Sequence, residues 1–121
     1  MIPGRMPETD IQAFVVEAEL ALSDETDPAA VGAAVTVELC GHWEHEGPCR
    51  WPHNSAIDSS REPARFRTLF VANGEDEAAV RARIERALRS RAGWSVVSVR
   101  ARPVAESERE LAAGLLAGPS L

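Results

Sequence analysis

The chain contains no lysine: all thirteen of its basic residues are arginine. It has only two cysteines, few aromatics (5% of 121 residues) and no apolar run near the roughly 20 residues needed to cross a bilayer. Residues 11–22 form the most apolar early stretch, and Glu17 and Glu19 interrupt it. The first residues, Met1-Ile2-Pro3-Gly4-Arg5, lack the apolar core of a secretory signal. The expectation is a cytoplasmic protein without membrane contact. In such a compartment two cysteines serve as thiols or metal ligands more often than as a structural disulfide. No glycine-rich nucleotide loop, Ser/His/Asp signature or paired-carboxylate site is visible, and Asn73-Gly74-Glu75 reads as a turn.

The length suits one domain with a proper core, so residues 1–121 are read as a single α+β domain. The formal net charge is -6 and the pI about 5.0. Charge is unevenly spread. Residues 1–49 hold ten acids against one arginine, whereas residues 50–102 hold eleven arginines against six acids. The acidic total argues against nonspecific nucleic-acid binding, which depends on phosphate neutralisation. The arginines of residues 81–91 read first as a solvated helix face. Arg65, Arg67, Arg100 and Arg102 are different: strand alternation would set them on one sheet face. If uncovered, that face would be a basic patch for an acidic partner, because arginine suits bidentate anion contacts.

Residues 1–10, with Pro3, Gly4 and Pro7, form a loose lead-in. From Phe14 the pattern has period two. Phe14, Val16, Ala18, Leu20 and Leu22 share one face, and Val15, Glu17, Glu19 and Ala21 the other, which is a half-buried strand. Asp27-Pro28 is a helix-start signal. The short spacing and Gly32 tip residues 27–34 towards a loop. Val35, Val37 and Leu39 then alternate with Thr36, Glu38 and Cys40 as a second strand, and residues 55–64 read as a polar loop. Residues 65–72 are apolar on both sides and fit a central strand. Residues 75–91 form the strongest helix, with acids in its first turn, arginines in its last and a stripe of Val80, Ile84, Ala87 and Leu88. Gly93 fits its C-cap. Residues 94–104 give another strand, with Trp94 in the core. Ser107 and Glu110 have the spacing of a capping box before a tail helix that ends at Gly118-Pro119. The fold class is therefore α+β, a four-stranded mostly antiparallel sheet with helices on one face. Its order is β-β-β-α-β-α, or the ferredoxin-like β-α-β-β-α-β plus a C-terminal helix if residues 27–34 are helical. A homodimer is expected by analogy with such sheets.

The function is expected in residues 40–54, where both cysteines, all three histidines and two of the three tryptophans fall. The spacing Cys40, His42, His45, Cys49, His53 offers five candidate ligands for a metal that takes four, commonly zinc. One histidine would be spare, or three ligands would leave an open position. Glu44 or Glu46 would then act as base beside a metal-bound water or orient a histidine. The leading expectation is a structural zinc loop that builds a surface for a protein partner or a second copy. An enzyme using Cys40, Cys49 or a metal-bound water is the alternative. Three further readings are that Trp43 and Trp51 are core or interface anchors beside surface histidines that happen to cluster, a Cys40–Cys49 disulfide or redox pair, and a metal-free module. In the last, Trp43, Trp51 and the four sheet arginines would grip an acidic partner or nucleic acid.

Overall fold

A computed structural model describes residues 11–40, 51–90 and 93–117, with the side chain of Cys40 excepted. The elements are β1 (Ile11–Leu22), α1 (Ala29–Cys40), β2 (His53–Asp58), β3 (Ala64–Asn73), α2 (Glu77–Arg89), β4 (Trp94–Arg102) and α3 (Arg109–Leu116). This is the β-α-β-β-α-β order followed by a tail helix. The strands form one antiparallel sheet in the order β2-β3-β1-β4. No helix of the described residues is long and apolar enough to cross a membrane. The lead-in over residues 1–10 and the stop at Gly118-Pro119 lie outside the described residues.

β1 and β3 follow the alternation. The even residues of β1 face α1 and α2 in the main core, with Phe66 and Phe70 from β3. The Phe14 and Phe70 rings lie 5.5 Å apart. Each helix meets this face through its buried stripe, and α2 uses the expected Val80, Ile84, Ala87 and Leu88. The opposite face carries Val15 and Leu69, over which α3 lays Leu111, Ala112 and Leu115.

Two elements differ from expectation. Residues 35–40 are not a strand but the second half of α1, and residues 27–34 start that helix instead of forming a loop. Asp27 accepts the Ala29 N–H at 3.0 Å and Pro28 takes the first turn, so the start signal is used as written. Val31, Val35 and Leu39 recur every four residues and are buried, which outweighs their poor helix propensity. The missing strand is β2, at His53–Asp58, inside a stretch expected to be a loop. Its alternation is real but polar: His53, Ser55 and Ile57 face α1, and Asn54, Ala56 and Asp58 face away.

Smaller corrections concern the caps. α2 stops at Arg89, where the Ser90 N–H bonds to the Ala87 carbonyl, so Gly93 is not its cap. Gly93 is needed for a close approach instead. Its carbonyl accepts the Thr26 hydroxyl at 2.6 Å, and a Cβ there would sit 2.7 Å from that oxygen. At α3 the capping carboxylate is Glu108, which takes the Ala105 N–H at 2.9 Å, not Glu110 paired with Ser107. Trp94 is in the core as expected, and its indole N–H donates to the Leu88 carbonyl at 2.8 Å.

Candidate functional site

The described part of the Cys/His segment stops at Cys40, the last residue of α1, and resumes at Trp51. Residues 41–50 lie outside the described residues, and with them His42, Trp43, Glu44, His45, Glu46 and Cys49. Cys40 is placed by its backbone in the last turn of α1. Trp51 and His53 are described fully, so the base of the segment can be built residue by residue.

His53 opens β2 and points its ring towards α1. Its Nδ1 lies 3.1 Å from the Trp51 carbonyl and its Nε2 lies 3.0 Å from Thr36 Oγ1. A carbonyl can only accept, so Nδ1 carries the proton. Burial pushes the His53 pKa down, against the smaller opposing effect of the Trp51 carbonyl, so the ring is neutral near pH 7. Nε2 then accepts the Thr36 hydroxyl. Both ring nitrogens are used within the fold. Trp51 is buried in the main core, with the Arg83 guanidinium 5.2 Å from its ring centroid. Arg83 and Arg86 of α2 converge on Glu38 of α1 at 3.6 and 2.8 Å. Glu38, Arg83, Trp51, His53 and Thr36 therefore tie the C-terminal half of α1, α2 and the start of β2 together. Beside them a groove of about 360 Å³ runs between α1 and β2, floored by Phe66. Among the described residues no three His, Cys, Asp or Glu side chains form a metal cluster.

The second region is the sheet face away from α1 and α2. Here the four arginines come together as the alternation implies. Strand order also places acids between them. Glu17 of β1 lies opposite Arg67 of β3 and Arg100 of β4, and Glu19 lies opposite Arg65 and Ser98. Arg100 reaches Glu17 at 2.7 Å and Arg102 reaches its other oxygen at 3.2 Å. Arg102 also forms a bidentate pair with Glu108, both contacts at 2.9 Å, and Arg67 Nε lies 3.7 Å from the same carboxylate. Arg65 is 4.0 Å from Glu19, which accepts the Ser98 hydroxyl at 3.1 Å.

Burial resists ionisation of Glu17 more than any other single influence. The Arg100 and Arg102 contacts together outweigh it and hold the carboxyl below the usual range. For Glu108 the Arg102 hydrogen bonds dominate, over an opposing effect of burial, and bring its pKa down to about 2. The polar depression of about 270 Å³ between Arg65 and Arg100 has Glu17 and Glu19 in its lining. An anion entering it would meet two carboxylates. Arg67 and Arg102 are committed to holding α3, whereas Arg100, 68% exposed, keeps most of its surface in solvent. Trp51 is on the other side of the sheet, so these arginines and Trp51 do not form one surface.

Sequence reasoning had no hold on Thr36, Asn54 or Glu108 as partners in these arrangements. Glu17 and Glu19 were readable on the strand face that carries them. Their pairing with specific arginines required the strand order. The chain matches no protein-family model, no curated protein and no solved structure. Its class therefore rests on fold and site alone: a small α+β protein whose Cys/His/Trp segment joins α1 to β2, the outer strand among the described residues.

Proposed function

We propose that the segment between α1 and β2 is a structural metal loop, with zinc as the metal, and that it serves assembly or protein interaction. The ligands would be Cys40, His42, His45 and Cys49, a two-cysteine, two-histidine set of the kind zinc takes. The observation that carries the reading is the state of His53. With Nδ1 on the Trp51 carbonyl and Nε2 on Thr36, His53 is the histidine left over from five candidates, and it acts as the brace that closes the loop's base. A short loop whose ends are already held together loses little further entropy when a metal closes it.

Cys40 lies in the last turn of α1, the end of a helix whose dipole favours a bound cation by roughly 0.3–1 kcal/mol. The β-α-β-β-α-β order around this loop we read as ferredoxin-like, in a cytoplasmic protein.

The test is Cys40→Ser and Cys49→Ser, with metal content and unfolding temperature measured on the same samples. Both variants should lose metal and stability together. Retention of stoichiometric metal in both would rule out thiolate ligation.

A further inference from the structure

β2 is an outer strand, and among the described residues no strand pairs with its other side. Which groups it leaves open follows from one hydrogen bond. The Val71 N–H donates to the Pro52 carbonyl at 3.1 Å, so residues 52, 54, 56 and 58 turn their main-chain groups towards β3. Ser55 and Ile57 then present theirs to the free edge. The neighbouring surface of α1 matches this edge in character. Ala29, Ala30, Ala33 and Val37 are exposed, and α1's one charged residue, Glu38, is bound by Arg83 and Arg86. A helix that is apolar all round is normally covered on all sides. The other outer strand is guarded differently: β4 carries a register shift opposite Glu19/Leu20 and the exposed Arg100, both of which discourage edge pairing.

We propose that a second copy of this chain covers this surface, with β2 pairing antiparallel to β2 of the second copy about a two-fold axis at Ala56. This rests on the assembly part of the function above and not on the metal. The register is chosen by chemical complementarity. With Ala56 on the axis, Ser55 lies opposite Ile57 of the second copy, and the two exchange main-chain N–H and C=O groups. Asn54 lies opposite Asp58 of the second copy, and the same pair recurs across the axis. Asn54 already accepts from Arg67 through its oxygen at 3.4 Å, which leaves its amide N–H groups to donate. Asp58 takes Ser60 on Oδ1, which leaves Oδ2 to accept. No like charges meet, although the chain carries a net charge of -6. The small outer face of α1 lets the two helices approach across the axis, and the groove beside β2 is closed by Ile57 of the second copy. An isologous contact of this kind is self-limiting at two chains.

The experiment is the solution mass of the wild type by light scattering over a concentration series, with Ala56→Glu and Ala56→Arg beside it. Ala56 is exposed and outside both core clusters, so each variant should keep its circular dichroism spectrum. Each sets identical charges against each other on the axis and should weaken dimerisation by at least about tenfold. An equimolar mixture should recover a dimer holding one of each. A wild type that stays monomeric would overturn the proposal. So would a dimer that both variants leave intact, or a mixture that fails to recover. Metal content measured on the same monomeric variants separates this outcome from that of the loop: loss of the dimer with metal retained, or with none present at the start, leaves the edge assignment standing.

Discussion

Glu108→Gln probes how the tail helix is held to the sheet. The carboxylate takes two Arg102 N–H groups and the Ala105 N–H, all at 2.9 Å, and faces Arg67 at 3.7 Å. Its pKa is brought from an ordinary 4.5 to about 2. At about 1.4 kcal/mol per tenfold, that difference is worth roughly 3 kcal/mol of stability near neutral pH. The side chain is only 12% exposed, so solvent screens the pair little. The Arg102 pKa is raised first by this same pair and then by Glu17, so it is not counted again. Glutamine keeps the shape and still accepts from Ala105, but lacks the charge. The variant should be less stable by about 2–3 kcal/mol at neutral pH. Because the folded-state pKa is depressed, the wild type's advantage is complete above the unfolded value of 4.5 and disappears as pH falls towards about 2. Urea unfolding followed by tryptophan fluorescence across that range measures it. A deficit as large in acid as at neutral pH would refute an electrostatic origin, and no deficit at all would refute the clamp.

Three other outcomes follow from the fold. Asp27→Ala removes the acceptor for the Ala29 N–H and should cost about 1 kcal/mol in chemical denaturation, while Asp27→Asn restores most of it. Ile84→Ala empties a fully buried site between α2 and the sheet and should cost about 2–5 kcal/mol by the same measurement. Nitrogen-15 NMR of the imidazole should show His53 as the neutral Nδ1–H tautomer at pH 7, and its titration should fall below the ordinary 6.5. A charged ring at neutral pH would remove the argument that sets His53 apart from the ligands.

How far the sequence led depended on whether periodicity carried information. In β1 and β3 it did: alternation separated Val16, Ala18 and Leu20 from Glu17 and Glu19, and burial follows that division. The α2 stripe was equally clear because arginines fill the other face. In α1 nearly every residue is apolar. The same residues satisfy both periods: Val35, Val37 and Leu39 step by two, and Val31, Val35 and Leu39 by four. Only the Asp27-Pro28 cap pointed to the helix, and the short spacing and Gly32 outweighed it in the sequence. β2 was hidden for the opposite reason. As an outer strand under the small residues of α1, it half-buries one sizeable hydrophobic side chain, Ile57, and its other residues are polar or, at Ala56, small. At the candidate site, the arginines of one face could be collected from strand alternation. That Glu17 stands between Arg67 and Arg100 could not, because it depends on which strands are neighbours. The role of His53 likewise needed Thr36 to be on a helix packed over β2.

The most direct test of the central claim is elemental analysis of untagged protein purified without chelator, with a free-thiol count before and after chelation. The account predicts about one zinc per chain, with both thiols protected until chelator is added. Metal-free protein with two freely reactive thiols would contradict it.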